Sequence, residues 1–305
     1  ARFLESYADS NPFLVGGSAD LEPSNGTAGF AMNSGDFSKS ELSGKNFAYG
    51  VREFPMGVIN NGIALHGGLK VFGSTFFVFS DYERAALRVR AMMGIPAISI
   101  YTHDSIFVGE DGPTHQPIEH LMACRAIPDL IVSRPCDANE TLMVCRFAFS
   151  HTDQPTAIIL SRQGLEVFDK SMEFYESNSP MGAYIHDECE GKPDIVLMAS
   201  GSELATAYEV KKILRNNKVR IVNFVSWELF DEQTQDYQKY TLGSPDALRV
   251  SIEAGITTGW QKYTGLSGLN FGIDSYGFSA PGLEVANEVG LLPDIIANEI
   301  LSQVG

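Results

Sequence analysis

An alternation of short apolar runs with amphipathic helical runs restricts the possible folds of this chain more than any other sequence feature. Over the first 162 residues the apolar runs cover residues 13–17, 74–79, 96–101, 130–133 and 156–161. The helical runs cover residues 56–69, 82–93, 118–127 and 139–149. Strands that are apolar on both faces and separated by helices are typical of a parallel sheet covered on both sides. We therefore predict a doubly wound α/β domain over residues 1–178.

A smaller unit of the same kind follows a change of composition. Residues 163–192 are polar and acidic without a helical or strand period, and we predict a linker at residues 179–192. The alternation then begins again, with predicted strands at 195–199, 219–224 and 248–251 and predicted helices at 203–215, 281–288 and 293–303. This pattern predicts a second α/β sheet domain over residues 193–305.

The charge balance and the cysteines exclude some classes of partner. The 305 residues carry 22 Lys and Arg against 38 Asp and Glu, a formal net charge of −16. Because no basic stripe is present to neutralise phosphates, we expect no nucleic-acid partner. No apolar run reaches the roughly 18 residues of a membrane-spanning helix, so we expect no membrane partner. Four cysteines without CxxC spacing predict free thiols and a reducing, cytoplasmic location.

The densest group of chemically active residues is the segment GEDGPTHQPIEHL at 109–121, with His103 six residues upstream in YTHDS. Loops that leave the ends of parallel strands are where α/β proteins carry their binding groups. Histidine serves as an acid, a base or a hydrogen-bond donor near neutral pH, and a neighbouring carboxylate orients it. We predict that His103, Asp111 and His115 face a functional site, with a polar surface loop as the alternative.

A carboxylate and three aromatic residues indicate a pocket nearby. Glu53 stands at the start of the small-residue run GVREFPMGVINNGIALHGG, where partial burial would suit it to proton donation. A salt-bridged glutamate at a helix start is the alternative. Phe76, Phe79 and Tyr82 follow at a spacing of three, and together they would sandwich a flat heteroaromatic ring. Ordinary core packing would explain the same three aromatics.

Two further segments would suit a phosphate group. GGSADLEPSN (16–25) follows the first predicted strand, and its Asp20 and Ser24 would approach a ligand closely. Arg162 ends the last predicted strand of the first domain, and its forked guanidinium matches a phosphate monoester. A tight turn with a helix cap, and an Arg162 paired with a structural carboxylate, are the alternatives. Because all these groups lie in loops or strand ends of one parallel sheet, we expect them to converge.

In this order the motifs strongly resemble the middle domain of transketolase: GGSADLEPSN, YGVREFPMG, STFFVFSDYER, YTHDSIFVGEDGPTHQPIEHL, RPCDANE and LSRQ. The later segments MASGSEL, IVNFVSWELFD, SIEAG and DSYGFSAPG resemble the C-terminal domain of that family. The resemblance covers the whole chain. It implies a thiamine diphosphate enzyme of the pentose phosphate pathway, which moves a two-carbon ketol unit from a ketose phosphate to an aldose phosphate. It also implies a homodimer, because active sites of the family form between two subunits.

The resemblance gives several residues a role toward the cofactor. Glu53 is similar to the catalytic glutamate that hydrogen-bonds the aminopyrimidine ring and so promotes activation of the thiazolium ring. Phe76, Phe79 and Tyr82 resemble the pocket that holds that pyrimidine, and Asp20 resembles the residue beside the thiazolium ring.

It also implies roles toward the sugar phosphate. His115, the second catalytic candidate, would contact the donor's terminal hydroxyl and the reacting oxygens. Asp111 would read the configuration of the adjacent hydroxyl. Ser24, His103 and Arg162 would hold the substrate phosphate.

The chain departs from the family pattern in one respect. The GDG motif that binds the diphosphate through Mg or Ca is absent, and the nearest match, EDG at 110–112, belongs to the loop of His115. We therefore expect this chain to carry only the pyrimidine half of the site and no metal ligand. We expect it to be nearly inactive without an N-terminal diphosphate-binding domain, because metal and diphosphate contacts supply much of the cofactor affinity.

Several alternatives stay open. The beta chain of a thiamine-dependent 2-oxo acid dehydrogenase has the same two-domain extent, and deoxyxylulose phosphate synthase shares GEDG-x-THQ. The THDS segment favours transketolase over both. A naturally split transketolase would also fit, although the opening ARFLESYADSNP reads as a helix already under way and favours a fragment. A non-catalytic regulatory module is the last alternative, and the intact Glu53, His103 and His115 count against it.

Overall fold

The computed structural model describes residues 1–304, which form two α/β domains. The strands of the first domain are β1 (Leu14–Ser18), β2 (Lys70–Phe76), β3 (Ile98–Thr102), β4 (Ile131–Ser133) and β5 (Thr156–Ile159). Its helices are α1 (Arg2–Ser10), α2 (Ala28–Ser34), α3 (Glu53–His66), α4 (Ser80–Met92), α5 (His120–Arg125), α6 (Ala138–Ser150) and α7 (Met172–Asn178). Short 3₁₀ helices cover Phe77–Phe79, Ile106–Asp111 and Ser179–Met181.

All five strands of the first sheet are parallel and run in the order β1-β2-β3-β5-β4. Successive residues of a strand point to opposite faces, and both faces are buried. In β5, Ile158 joins a core cluster with Leu4 of α1 and Phe30 of α2, whereas Ile159 joins another with Leu87 of α4 and Leu121 of α5. The predicted doubly wound parallel sheet is therefore confirmed.

The second domain contains β6 (Ala183–Asp187), β7 (Ile195–Ala199), β8 (Val219–Phe224), β9 (Leu248–Ile252) and β10 (Leu269–Phe271). Its helices are α8 (Glu203–Ile213), α9 (Trp227–Asp231), α10 (Gln235–Leu242), α11 (Gln261–Thr264), α12 (Gly282–Glu288) and α13 (Pro293–Val304). The strand order is β10-β9-β7-β8-β6, with β6 antiparallel to β8 and the other pairs parallel. Its core lies on both faces, since Leu197 packs toward α8 and α13 while Met198 packs toward Trp227 and Trp260.

The main difference from the sequence prediction lies at residues 179–192, which were expected to be linker. Residues 183–187 instead form the edge strand β6 of the second sheet, so this sheet begins before the predicted start at residue 193. A five-residue strand in an acidic segment has no distinctive period, and its pairing with β8 is a long-range contact that the local sequence does not encode. A smaller difference concerns 77–79, which turn as a 3₁₀ helix after β2 ends at Phe76.

No helix within residues 1–304 is both long enough and apolar enough to cross a membrane.

Candidate functional site

A cleft of about 440 Å³ opens at the carboxyl ends of β1 and β2. It is lined by Asp20 from the loop after β1, Glu53 at the start of α3, and the aromatic residues Phe79 and Tyr82. Parallel strands bring their following loops to one edge of a sheet, which explains why segments 60 residues apart in sequence meet there. Four of the sequence-predicted cofactor residues therefore line one cavity.

Glu53 is the first residue of α3 and is buried, with about 8% of its surface exposed. Its negative charge is favoured at a helix N-terminus by the unpaired backbone N–H groups. Within residues 1–304 its carboxylate has neither a salt-bridge partner nor a hydrogen-bond partner. The structure thus does not show the salt-bridged glutamate that was the alternative, and the carboxylate can bond to a polar group of a ligand in the cleft.

The aromatic residues form a continuous series from the cleft to the histidines. The ring of Phe76 stacks on His103 with 3.7 Å between centroids and lies parallel to the ring of Phe79 at 6.1 Å. Phe79 also contacts Tyr82 at 6.0 Å and the edge of His115 at 5.7 Å. Tyr82 is 66% exposed, so this series is not ordinary core packing. A flat ring in the cleft would lie against Phe79 and Tyr82.

His103 is half-buried immediately after β3, in an unusual backbone conformation with φ +63°. A residue other than glycine is strained there and is held by its surroundings. Its Nδ1 lies 2.9 Å from the hydroxyl of Thr102, and that hydroxyl donates its proton to Oδ1 of the buried Asn25 at 2.8 Å. Asn25 adjoins the exposed Ser24, so this bond brings the Ser24 loop to the end of β3.

Electrostatics show which charged groups surround His103. Burial lowers the pKa of His103, the positive charge of Arg162 lowers it further, and Asp104 and Asp111 act in the opposite direction. Arg162 is exposed just beyond the end of β5 and forms no ion pair within residues 1–304. The structure therefore places Arg162 and Asp111 within electrostatic range of His103. This arrangement rules out the alternative of an Arg162 tied to a structural carboxylate of the described chain.

The loop of Asp111 and His115 is held by its own glycines and by the second domain. Gly109 and Gly112 have φ values of +81° and +78°, which glycine adopts without strain. The buried Gln116 donates to the carbonyls of Gly109 at 2.8 Å and Phe278 at 3.0 Å. Asp111 is exposed and His115 is half-buried on this frame.

The charged residues that join this edge of the first sheet to the second domain were not predicted from the sequence. Arg134, Asp104 and Glu203 form a buried charged group between the two domains, and Arg125 pairs with Glu253 nearby. The only signal in the sequence was that these charged residues stand at the ends of apolar runs. That signal does not say which residues meet, because their partners are 30 to 128 positions away.

Fold and site together define a two-domain α/β protein with a cleft suited to a flat heteroaromatic ring. Histidine, arginine and carboxylate groups lie beside the cleft, where they suit a polar substrate. This is the arrangement of a ligand-binding site at the carboxyl edge of a parallel sheet.

Comparison with known proteins identifies the family of this chain. Residues 1–167 match the family model for the transketolase pyrimidine binding domain, and residues 182–292 match the transketolase-like C-terminal domain. Transketolase from Bacillus subtilis (strain 168) is 47% identical over 300 residues, which is 97% of this chain and 45% of the relative. This chain belongs to the transketolase family.

Solved structures agree with this assignment. Transketolase from Leishmania mexicana superposes with a TM-score of 0.91 at 38% identity, over 97% of this chain and 43% of that one. A chain described as "split gene transketolase, inactive beta4 tetramer" has a TM-score of 0.74 at 21% identity, over 99% of this chain and 95% of that one. At that identity the second likeness shows the fold alone. The chain spans less than half the length of the curated relatives it matches.

Proposed function

We propose that this chain is the C-terminal portion of a transketolase and supplies the pyrimidine half of a thiamine diphosphate site. The observation that carries the proposal is the carboxylate of the mostly buried Glu53, which has no partner within residues 1–304 and lines a cleft walled by Phe79 and Tyr82. A ligand with a ring nitrogen in the cleft would give this carboxylate the hydrogen-bond partner that it lacks. When bound, the cofactor supplies the nucleophilic carbon and delocalises the negative charge of the transferred two-carbon unit.

The residues of the chain fit parts of this cofactor and not others. Glu53 would hold a proton at the pyrimidine nitrogen, Phe76, Phe79 and Tyr82 would position the ring, and Asp20 would lie beside the thiazolium. The chain has no GDG motif of the kind that binds the diphosphate through Mg or Ca in the family. We propose that a diphosphate-binding half, on the same or another polypeptide, provides those contacts.

The substrate side would be a sugar phosphate. The positive charge of Arg162 acts on His103, and Ser24 sits on the loop that a hydrogen bond joins to the end of β3, so we propose that these three residues hold the substrate phosphate. Asp111 would accept a hydrogen bond from a sugar hydroxyl. His115 would contact the oxygens of the reacting carbon, since its ring lies against Phe79 at the cleft. The proposed reaction is transfer of a two-carbon ketol unit from a ketose phosphate to an aldose phosphate.

One exposed surface supports a dimeric assembly with active sites shared between subunits. Six apolar side chains of α3 and α4 are each more than a third exposed to water: Phe54, Val58, Leu65, Tyr82, Val89 and Met92. An apolar surface of this kind next to a binding cleft is typical of an interaction site. We propose a homodimer through this face, and light scattering that finds a monomer at micromolar concentration would contradict it.

A natural split subunit is a second candidate for how the chain occurs. The observation behind it is the solved chain described as a split-gene transketolase, whose fold matches over 99% of this chain and 95% of that one. In either case we propose a cytoplasmic location, supported by four cysteines that are all unpaired.

The test is reconstitution. The chain and a separately produced diphosphate-binding half are titrated with thiamine diphosphate and Mg²⁺, singly and together, and two-carbon transfer between sugar phosphates is assayed. We expect tight cofactor binding and transfer only for the combination. If the combination binds thiamine diphosphate but transfers no two-carbon unit, the family fold stands and the proposed reaction is wrong.

A further inference from the structure

The buried Arg134 connects the second domain to the edge of the first sheet where His103 and Arg162 lie. Arg134 directly follows β4, and its guanidinium donates from Nε to Oδ2 of Asp104 at 2.9 Å, with Nη2 in ion-pair contact with the same oxygen at 2.8 Å. Asp104 adjoins His103 and follows β3. Since β5 lies between β3 and β4 in the sheet, the pair spans the end of the strand that leads to Arg162.

The other side of Arg134 is held entirely by the second domain. Its Nη1 donates to the carbonyl oxygen of Ser200 at 2.9 Å, to the Ser200 hydroxyl at 3.0 Å and to the carboxylate of Glu203. The intervening Gly201 has φ +55°, and a Cβ there would lie 2.8 Å from the Arg134 side chain. The turn between β7 and α8 is therefore shaped around this guanidinium.

Asp104 depends on this contact. It is 2% exposed, and within residues 1–304 Arg134 is the only side chain or backbone group that donates a hydrogen bond to its carboxylate. A buried carboxylate that loses its partner is strongly destabilised and moves toward water. The backbone of His103 is already in the strained left-handed region, so movement of Asp104 would release it.

We propose that Arg134 is a positioning residue, through which the C-terminal domain holds His103 in its orientation toward the substrate. This inference rests on the proposed function for the identity of the substrate, but the positioning of His103 does not. It gives the second domain a role in the site although none of its side chains was assigned to cofactor or substrate.

The experiment uses three variants and one control. Arg134→Lys keeps the charge but cannot bond Asp104 and Glu203 together, because a single ammonium replaces a planar fork. Glu203→Gln weakens the contact from the second domain. Gly201→Ala places a Cβ 2.8 Å from the Arg134 side chain without removing a charge, at a φ of +55° where alanine is itself strained. The control is Arg220→Lys, which disrupts a bidentate pair with Glu188 (3.0 and 2.7 Å) lying wholly in the second domain.

The first readout needs no activity. In the 305-residue chain, the ring protons of His103 should show the upfield NMR shift of a ring stacked 3.7 Å from Phe76. We expect this shift to decrease in the three Arg134-contact variants and to persist in Arg220→Lys, even where all four lower the denaturation midpoint.

The second readout is donor selectivity in a complete enzyme that contains this chain. We expect the three variants to raise KM for a ketose phosphate about tenfold, as expected for loss of a charged hydrogen bond. Hydroxypyruvate, which has no phosphate, should be affected less than twofold, and Arg220→Lys should leave the ratio unchanged.

The outcomes separate the two proposals. Unchanged His103 signals in variants that are folded would overturn the positioning role, whatever the kinetics show. Altered His103 signals with equal losses on both donors would support the positioning role and contradict the assignment of His103 to the substrate phosphate.

Discussion

The cleft edge of the first domain and the interface between the two domains use charged side chains in opposite ways. At the cleft edge Glu53, Asp111 and Arg162 form no ion pair within residues 1–304. At the interface Arg134 and Arg125 are both buried and each is paired with at least one buried carboxylate. Unpaired charges are retained where a ligand would satisfy them, and paired charges fix the relative position of the domains.

The comparison predicts different consequences of mutation in the two regions. Substitutions at the cleft edge should reduce activity and leave stability nearly unchanged. Substitutions at the interface should lower the free energy of unfolding.

The largest expected effect is that of Glu53→Gln. In a complete enzyme that contains this chain, we expect turnover to fall on the order of a hundred- to ten-thousand-fold, because the amide cannot share a proton with the pyrimidine nitrogen. Thiamine diphosphate binding should weaken less than turnover does. Steady-state kinetics and cofactor titration measure the two effects, and more than half of normal turnover in the variant would contradict the role given to Glu53.

The stability contributed by the interface should depend on pH. Burial alone would raise the pKa of Glu253, but the charge and hydrogen bonds of Arg125 outweigh it and hold the pKa at about 2, below the ordinary 4.5. Glu253 therefore contributes stability that is complete above pH 4.5 and is lost as the pH falls toward 2. The contribution is roughly 3 kcal/mol at neutral pH.

Urea unfolding from pH 7 downward tests this expectation. The difference in unfolding free energy between the chain and Glu253→Gln should shrink as the pH falls below 4.5. Glu176→Gln is the matched control, because Glu176 pairs with Arg146 at the surface. If the difference in unfolding free energy did not change with pH, Arg125 would not be lowering the pKa of Glu253.

A smaller effect is expected at the substrate phosphate. Arg162→Ala should weaken binding of sugar phosphates by roughly 1.5–3 kcal/mol, the range for a charged hydrogen bond, and leave hydroxypyruvate nearly unaffected. Asp111→Ala should instead relax discrimination between donors that differ in hydroxyl configuration. Kinetics with phosphorylated and phosphate-free donors measure both changes. Equal losses on both donors for Arg162→Ala would remove its assignment to the phosphate.

The smallest effect is expected for a surface pair. Arg146 and Glu176 join α6 to α7 at 3.0 Å but are both more than half exposed. Water screens such a pair, so Arg146→Ala should change the free energy of unfolding by less than about 1 kcal/mol. Thermal or urea unfolding measures this change. A loss as large as that expected for Glu253 would mean that burial does not decide how much an ion pair contributes to the free energy of unfolding.

Much of the fold could be predicted because local patterns encode it. The apolar runs that became β1, β3, β5, β7 and β8 were continuous and bounded by polar residues, so their existence did not depend on distant contacts. Strand β6 could not be predicted, because its residues become a strand only through pairing with β8. The site followed the same division. Glu53 was predicted from its position before a small-residue run, and Phe79 and Tyr82 from their spacing of three, whereas Arg134 was not predicted.

The sequence by itself determined the class of the fold and the edge of the sheet at which the candidate site residues meet. The reason is that parallel strands place their following loops together whatever the details of packing. Only the tertiary structure decided which charges are paired. Asp104 and Asp111 are the same residue type in the sequence. In the structure Asp104 is buried against Arg134, whereas Asp111 is exposed at the cleft edge. Folding brings other residues near a carboxylate. These neighbours decide whether the carboxylate is paired and stabilises the protein or is unpaired and available to a ligand.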